Sequence, residues 1–385
     1  MLSETNVVVG VTGSIAAVRT VEFVHELRRA GANVRAVMTP AATDIIHPWA
    51  VEFATEHDVV TELTGRVEHV EYCGVDGWAD VYVVAPATAN TVGKIAAAID
   101  DTPVTTCATT ALGAGVPTVV VPAMHEPMYD HPGVADAIDR VESWGVEFVD
   151  PRVEEGKAKI ASDAAIVTGV ARATSERPLE DKHVVVTSGA TTESIDPIRT
   201  LSNRASGKTG RAVARACHVR GAEVTLIHDG PDVHYADVER VESAAEMTAA
   251  AMDAAETADA LVSAAAIGDY TVETADEKIR SGRESLTIEL SPTPKLLDTV
   301  RETYPDLPMV GFKAESEGDD AAIIGRARTL RDRVDLAFVV ANDASVMGDS
   351  ETRALLVDDG PDPTTVTGEK SALGAAVADR LGSEL

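Results

Sequence analysis

Short, mostly apolar runs alternate along the chain with segments in which apolar positions recur every three or four residues. The first pattern is typical of parallel strands covered on both faces, and the second of amphipathic helices. In the first half, predicted strands cover residues 7–11, 34–38, 81–85 and 116–121, and predicted helices cover residues 15–29, 89–99, 104–111 and 133–143. This alternation predicts a doubly wound, mostly parallel sheet.

The alternation starts again after a polar, proline-containing stretch at residues 175–182, which we interpret as a linker. Predicted strands then cover residues 184–187, 224–227, 260–264, 309–312 and 337–341, predicted helices cover 207–220, 244–257, 294–301 and 319–332, and a hairpin at 353–367 closes the series. A chain of 385 residues is long enough for two such cores. We therefore predict an α/β protein with two Rossmann-like domains, residues 1–174 and 183–385.

The chain is strongly acidic, which argues against nucleic acid as a partner. The net charge is −30, from 63 acidic and 33 basic residues, of which nine are lysine. An acidic surface poor in lysine suits a cytoplasm of high salt, where charges are screened over about 3 Å at 1 M. We expect a salt-adapted protein that does not bind nucleic acid, because no basic stripe is present.

Neither a membrane anchor nor a disulfide framework is expected. No apolar run approaches the roughly 20 residues of a membrane span, and the first residues lack a signal pattern, so a cytoplasmic location is expected. The cysteines Cys73, Cys107 and Cys217 are odd in number and far apart, which favours reduced thiols.

Small and hydroxyl residues follow the predicted strands of the first half. Gly13 and Ser14 follow the first strand, Thr39 the second and Thr88 the third, and Thr105 lies in the next helix. Ligands of doubly wound sheets bind at this edge, where backbone N–H groups at strand–helix junctions bind phosphate. Each residue alone is equally typical of an ordinary loop. Together they indicate a phosphate held by hydroxyls and amides.

Several motifs of the first half occur in the order found in one family. They are Gly13-Ser14-Ile15-Ala16, His69-Val70-Glu71 before Trp78-Ala79-Asp80, Ala85-Pro86-Ala87-Thr88-Ala89-Asn90-Thr91, and Pro122-Ala123-Met124. This half resembles the flavin-dependent cysteine decarboxylases that act on phosphopantothenoylcysteine. The resemblance implies that His69 is the catalytic base. It also implies FMN held by Gly13, Ser14, Ile15, Thr39, Thr88 and Thr105, and substrate contacts from Asn90 and Met124.

The sequence departs from that family at two places. His125 stands where the family has asparagine, and we predict that its imidazole keeps the substrate-binding and catalytic role. Many members carry an Ala-Cys-Gly clamp near the end of this domain, whereas residues 154–159 contain no cysteine. Lys157, Lys159 and Cys73 are the candidates for the group that replaces the clamp cysteine. The alternative is that a partner chain supplies it.

Residues 181–385 resemble the phosphopantothenate–cysteine ligases. The resemblance implies that Asn203 stabilises an acyl intermediate, that Lys278 stabilises charge at the α-phosphate and that Arg199 binds substrate. Further nucleotide contacts are implied for Ala264, Ala265, Asp269, Thr293, Pro294, Lys295, Leu296 and Phe312. Where the family has two phosphate-binding lysines, this sequence has Arg328 and Arg331, and which arginine within residues 326–333 binds phosphate is left open. Magnesium is implied by the triphosphate, with its ligands left open. CTP is the nucleotide that the resemblance favours, and ATP stays an alternative.

The whole chain is thus similar to bifunctional enzymes of coenzyme A biosynthesis. Such an enzyme joins cysteine to 4′-phosphopantothenate through an acyl-cytidylate and decarboxylates the product to 4′-phosphopantetheine. The alternatives are a regulatory flavoprotein-like module and a decarboxylase of another cysteine-terminated substrate. A nicotinamide oxidoreductase is disfavoured because neither half contains a complete dinucleotide fingerprint. The resemblance also implies homo-oligomers: trimeric decarboxylase domains and dimeric ligase domains, which together can form a dodecamer.

Overall fold

The chain forms two compact units, Met1–Ser175 and Glu176–Leu385. The computed structural model describes residues 1–154, 157–280, 285–315, 319–343 and 351–385. Each unit has its own sheet and its own buried apolar core. No helix among these residues has the length and apolar character needed to cross a bilayer.

The first unit is built on a five-stranded parallel sheet in the order β2-β1-β3-β4-β6. Its strands are β1 (Asn6–Val11), β2 (Asn33–Met38), β3 (Val81–Ala87), β4 (Thr118–Pro122) and β6 (Glu147–Phe148), and a small antiparallel sheet holds β5 (Met124–His125), β7 (Arg152–Glu154) and β8 (Lys157–Lys159). All seven residues of β3 are buried, as the uninterrupted apolar run predicts. The strand order reverses between β1 and β3, which is where ligands bind in such sheets.

Nine α-helices surround these strands among the described residues of the first unit. They are α1 (Thr20–Arg29), α2 (Pro40–Thr43), α3 (Pro48–Thr55), α4 (Glu68–Cys73), α5 (Ala89–Ala96), α6 (Pro103–Ala114), α7 (Glu126–Tyr129), α8 (Pro132–Glu142) and α9 (Asp163–Thr174). The continuous helix predicted over residues 15–29 is wrong, because Ile15–Arg19 is a 3₁₀ turn capped by Ser14. A 3₁₀ turn at the start of a helix has nearly the same apolar spacing, so periodicity does not separate the two.

The second unit has an eight-stranded sheet in the order β13-β12-β9-β14-β17-β18-β19-β20. Its strands are β9 (His183–Thr187), β12 (Glu223–His228), β13 (Asp237–Arg240), β14 (Ala260–Ser263), β17 (Met309–Glu315), β18 (Phe338–Asp343), β19 (Glu351–Val357) and β20 (Thr364–Glu369), and two small ribbons pair β10 (Thr192–Ser194) with β11 (Thr200–Ser202) and β15 (Tyr270–Val272) with β16 (Leu290–Pro292). The first six strands are parallel, and β19 and β20 form the antiparallel hairpin that closes the sheet. Here the order reverses between β9 and β14.

Five helices cover the described part of this second sheet. They are α10 (Lys208–Val219), α11 (Ala244–Ala255), α12 (Leu296–Thr303), α13 (Asp320–Val334) and α14 (Lys370–Gly382). A capping box between Ser243 and Glu246 starts α11. Helix α14 was not predicted from the sequence, although its Leu373, Val377 and Leu381 are buried in the core.

Candidate active sites

A cavity of about 550 Å³ lies at the carboxyl edge of the first sheet. Gly13 and Ser14 enter it from the end of β1, Thr88 from the end of β3, and Ala123 and Met124 from the end of β4. The remaining wall is largely apolar and consists of Ile15, Ala16, Val18, Met128 and Ile160, with His125, Arg19, Arg152 and Lys159 at its polar part. A cavity of this size and lining suits a planar organic ligand.

A second cavity of about 450 Å³ shares Gly13, Thr88 and Met128 with the first. Its lining is rich in hydroxyls, from Thr12, Thr39, Thr88, Thr91, Thr102 and Thr105, and also includes Asn90 and Lys94. Thr88 caps α5 and Thr102 caps α6, so the first turns of two helices converge here. Helix N-termini and an ammonium group both favour an anion.

The capping hydroxyls leave hydrogen-bonding capacity for a ligand. Thr88 Oγ1 accepts from Thr91 N at 3.2 Å, and Thr102 Oγ1 accepts from Thr105 N at 3.2 Å. Thr88 Oγ1 also lies 2.9 Å from Thr91 Oγ1, and Thr102 Oγ1 lies 2.8 Å from Thr105 Oγ1, so one O–H of each pair bonds the other hydroxyl and at most one is left to donate to a ligand. The chain also passes unusually close to itself at this edge, because a Cβ on Gly13 would lie 2.6 Å from the Ala41 Cβ. Only glycine fits that position without displacement of α2.

The two cavities together fit a flavin mononucleotide. The hydroxyl-rich cavity matches a phosphate, and the apolar cavity matches a flat ring system. Ile15 and Val18 are 79% and 56% exposed in the chain as it stands, so a bound ring would bury apolar surface. The predicted flavin contacts Gly13, Ser14 and Ile15 line the first cavity, Thr39 and Thr105 line the second, and Thr88 lines both.

The predicted substrate residues of this unit also lie at the cavities. Met124 and His125 form β5 and line the first cavity, and Asn90 lines the second. His125 pairs with Lys157 in the register of β5 and β8, and Lys159 of the same strand lines the cavity. Residues 155 and 156 of the predicted clamp stretch lie outside the described residues. Cys73 is buried and lines neither cavity.

His69 lies outside both cavities of its own chain. It is the second residue of α4 rather than a loop residue, and its Nδ1 is buried without a hydrogen-bond partner among the described residues. The preceding Glu68 is 3% exposed and accepts a hydrogen bond from the Thr64 N–H at 2.9 Å and another from the Thr64 hydroxyl. These bonds from Thr64 lower the pKa of Glu68 to about 2. They fix the loop from which α4 begins.

We expect Glu68→Gln to lower the melting temperature of the first unit in a pH-dependent way. Since the folded-state pKa of Glu68 lies below its ordinary value, its stabilisation is complete above pH ~4.5 and is lost as the pH falls towards 2. Thermal unfolding at several pH values should show a difference between wild type and variant that shrinks in acid. The exposed Glu62→Gln is the control. A pH-independent difference would contradict this role for the Glu68 charge.

In the second unit, Asn203 is hydrogen-bonded to the loop that follows β14. Its Nδ2 donates to Ala266 O at 2.9 Å, and Thr191 N donates to the same carbonyl at 3.2 Å. Ala264 and Ala265 precede this carbonyl at the end of β14. Since Nδ2 carries two N–H groups and donates one of them to Ala266 O, the second N–H and the side-chain oxygen are left for a ligand. Asn203 therefore lies at the point where the strand order of this sheet reverses.

Asp269, Thr293 and Lys295 meet at the same edge. Thr293 N donates to Asp269 O at 3.0 Å, and the Lys295 ammonium forms an ion pair with the Asp269 carboxylate. Thr293 Oγ1 also donates to Gly268 O at 2.5 Å. The polar nucleotide contacts predicted around residues 264–269 and 293–295 are thus joined by direct hydrogen bonds.

Lys278 lies on a segment that is held by Asp196 and Arg199. Lys278 is exposed, and the next residue, Ile279, donates its N–H to Asp196 Oδ2 at 3.0 Å. Arg199 forms an ion pair with the same carboxylate. Burial raises the pKa of Asp196, but hydrogen bonds from the N–H groups of Ile198, Arg199 and Ile279, together with the Arg199 charge, lower it to about 2. This carboxyl is therefore ionised at neutral pH.

The other predicted nucleotide contacts differ in how the fold uses them. Leu296 begins α12 after Pro294 and is buried in the core, whereas Phe312 on β17 is half-buried. Arg328 donates to Gly360 O and Pro361 O at 2.8 Å, which attaches α13 to the turn between β19 and β20. Arg331 lies 3.8 Å from Asp332. The nucleotide roles of these residues stay predictions.

The sequence analysis missed Lys94 and Thr102 in the first unit and gave Asp196 no role in the second. A signal for each was present. Lys94 follows Asn90 by one helical turn, Thr102 precedes Pro103 as an N-cap precedes a first-turn proline, and Asp196 begins an Asp-Pro turn.

Comparison with known proteins identifies the family. Residues 1–175 match the family model described as Flavoprotein, and residues 179–384 match the model of the DNA/pantothenate metabolism flavoprotein C-terminal domain. The chain is 48% identical to the coenzyme A biosynthesis bifunctional protein CoaBC of Thermococcus kodakarensis, over 91% of this chain and 88% of that protein. The chain belongs to the family of bifunctional coenzyme A biosynthesis proteins. The CoaBC of Bacillus subtilis is 34% identical over 90% of this chain and 88% of its own length.

A solved structure is also similar to about half of the chain. The DNA/pantothenate metabolism flavoprotein of Streptococcus pneumoniae has a TM-score of 0.48 and 21% identity, and it covers 53% of this chain and 100% of that one. The matched family makes the chain a two-step enzyme of coenzyme A biosynthesis, with a decarboxylase step and a ligase step.

Proposed function

We propose that residues 176–385 join cysteine to 4′-phosphopantothenate and that residues 1–175 decarboxylate the product to 4′-phosphopantetheine with FMN. The observation that carries the proposal is the pairing of two sites, each at the point where the strand order of its sheet reverses. One is an apolar cavity joined to a hydroxyl-rich one, and the other is a cluster of amide, carboxylate and ammonium groups.

In the decarboxylase unit, the chain's own residues bind and orient. The hydroxyls of Thr88 and Thr105 together with Lys94 would hold the FMN phosphate in the second cavity, and Ile15 and Met124 would form part of the apolar wall for the ring in the first. When bound, FMN would supply reversible two-electron chemistry at the thiol-bearing carbon, which would make loss of the carboxyl group feasible without net oxidation. His125 donates a hydrogen bond to the substrate, and His69 accepts a proton from it.

We expect Lys94→Met to weaken FMN binding by at least tenfold, because a hydrogen bond to a charged group contributes about 1.5–3 kcal/mol. Lys94 lines the hydroxyl-rich cavity and is held by Asp101 at 2.7 Å. Titration of apoprotein with FMN, followed by quenching of flavin fluorescence, gives the dissociation constant. Lys94→Arg keeps the charge and is the matched control. Unchanged affinity in Lys94→Met would place the phosphate elsewhere.

In the ligase unit, the carboxylate oxygen of 4′-phosphopantothenate attacks the α-phosphorus of CTP, and pyrophosphate leaves. The cysteine amine then attacks the acyl carbon, and CMP leaves. Lys278 balances the charge that develops at the α-phosphate, and Asn203 holds the acyl-cytidylate through its side-chain oxygen or the adjoining loop. Mg²⁺, when bound with the nucleotide, would neutralise part of the charge of the triphosphate.

We further propose that His69 acts on the cavity of a neighbouring protomer in a trimer. Two apolar surfaces support this arrangement. Ile15 and Val18 are exposed beside the cavity, and Val70 and Val75, close to His69 in the chain, are 48% and 84% exposed. Contact between these surfaces would bury both and bring His69 to a cavity that its own chain does not offer it.

The proposed function is tested by assaying the purified protein with each substrate set. Cysteine, 4′-phosphopantothenate and Mg²⁺ are supplied with CTP or ATP, at low and molar potassium chloride, and pyrophosphate and carbon dioxide are measured separately. We expect pyrophosphate with CTP, and carbon dioxide only after FMN is bound. Pyrophosphate without carbon dioxide would favour a decarboxylase of another cysteine-terminated substrate. Neither product would favour the regulatory module.

A further inference from the structure

One buried carboxylate joins two segments of the second unit that are 83 residues apart in the chain. Asp196 is 1% exposed. Its Oδ1 accepts from the N–H groups of Ile198 and Arg199, each at 2.8 Å, and its Oδ2 accepts from the Ile279 N–H at 3.0 Å. Since Ile279 directly follows Lys278, the carboxylate binds the N–H of the Lys278–Ile279 peptide bond.

Arg199 closes this arrangement into a ring. Its Nη1 contacts Asp196 Oδ2 at 2.5 Å and donates to Ile279 O at 3.1 Å. Both polar groups of Ile279 are therefore engaged, the N–H by Asp196 and the carbonyl by Arg199. The Asp196 carboxylate thus fixes the positions of the Arg199 guanidinium and of Ile279 relative to each other.

The same segment is attached to the chain before Asp196 at other points. Ala275 N donates to Ile195 O at 3.0 Å, and Thr274 Oγ1 donates to Ser194 O at 2.8 Å. Neither bond reaches Ile279. The attachment at residues 274–275 therefore fixes where the segment starts, and Asp196 fixes where Lys278 lies along it.

Asparagine cannot replace this carboxylate without loss. A carboxylate only accepts hydrogen bonds, and donors converge on both of its oxygens. An amide oxygen in the place of Oδ1 keeps the bonds to Ile198 and Arg199, but its NH₂ group then faces two donors. The Ile279 N–H is left without an acceptor, which costs free energy in a buried position.

We propose that Asp196 is a positioning residue for the ligase step: its carboxylate fixes the Ile279 peptide and so fixes the backbone from which the Lys278 side chain extends, relative to Arg199. The inference rests on the charge-balancing role proposed above for Lys278. It goes beyond that role, because it states what holds the backbone at Lys278 in place near the α-phosphate that is attacked.

The first test measures Asp196→Asn in the full chain. We expect kcat for nucleotide-dependent pyrophosphate release to fall by about 10- to 100-fold, with little change in KM for CTP, because misplacement of a catalytic group affects the transition state most. Decarboxylation of supplied phosphopantothenoylcysteine by the same protein should be unchanged. Thr274→Val removes a neighbouring bond of the segment and is the matched control, with near wild-type ligase activity expected.

The second test separates positioning from a merely structural role. If Asp196 acts through Lys278, adding Asp196→Asn to Lys278→Ala should slow pyrophosphate release by less than about twofold. A structural carboxylate would impose its full loss on the double variant. The full additive loss would therefore overturn the proposal even if the single variant were slow.

The third test probes how firmly the segment around Lys278 is held, and it does not depend on enzyme activity. Trypsin cleaves after lysine, and the N–H of the bond after Lys278 is the one that Asp196 accepts. We expect trypsin to cleave after Lys278 about tenfold faster in Asp196→Asn than in wild type. Mass spectrometry of the fragments over time measures the rate of cleavage. Equal cleavage together with wild-type ligase activity would overturn the role of Asp196 and leave the proposed function intact. A wild-type chain that releases no pyrophosphate would instead overturn the proposed function.

Discussion

Lys278→Ala should slow CTP-dependent pyrophosphate release by about 10²–10³-fold, the usual loss when one group that stabilises developing charge is removed. Lys278 is exposed on a segment that Asp196 and Arg199 fix through Ile279, so its ammonium is accessible to a phosphate. In a protein of net charge −30, removal of one positive charge beside a triphosphate also raises electrostatic repulsion.

The bifunctional chain provides an internal control for this experiment. Decarboxylation of supplied phosphopantothenoylcysteine by Lys278→Ala should equal that of wild type, since the change lies in the other unit. Lys182→Ala is the matched surface variant, because the Lys182 ammonium lies in a 3.6 Å ion pair with Asp259 near the start of the same unit, and such surface pairs contribute little to stability. Loss of both activities in Lys278→Ala would indicate misfolding or aggregation. Retention of ligase activity would remove Lys278 from the mechanism.

The predictable part of the fold was the part governed by burial on both faces of a sheet. Central strands such as β3 and β9 are uninterrupted apolar runs, and the sequence analysis found them within two residues of their ends. Short helices such as α3 and α4 were missed because eight or six residues carry too little periodicity. Their starts depend on local chemistry, as at α3, where Pro48 is the first residue and the side chain of the N-cap His47 accepts from the Trp49 N–H.

The residues of the candidate sites also fall into those that sequence patterns predict and those that depend on contacts between distant segments. Residues at strand ends, such as Ser14 and Thr88, were predictable because parallel topology brings those ends together. Asp196 had no assigned role because its importance comes from Ile279, a contact that sequence spacing does not predict. The place of His69 outside the cavities of its own chain was likewise not predictable from a motif. A motif indicates the type of group but not which copy of the chain uses it.

His69→Asn should reduce decarboxylation by about 10²–10⁴-fold, the usual contribution of a general base, and leave ligation unchanged. Asparagine keeps a hydrogen-bonding side chain of similar reach but does not take up a proton near neutral pH. Carbon dioxide release from phosphopantothenoylcysteine measures the effect. FMN binding should stay near the wild-type level, because in the proposed trimer His69 meets the substrate and the residues that line the two cavities are unchanged. A fall in FMN content that matched the fall in rate would contradict the role of His69 as a base.

Mixing two inactive variants then tests whether His69 acts on a neighbour. Ala16→Trp fills the first cavity and blocks the ring site, while its own His69 stays intact. In trimers assembled at random from equal amounts of the two variants, about a quarter of the sites pair an intact cavity with a neighbour's intact His69. We therefore expect co-assembled mixtures to recover roughly 25% of wild-type decarboxylation. Mixed trimers without activity would show that no neighbour supplies His69, because an intact cavity and an intact imidazole would then have met without effect.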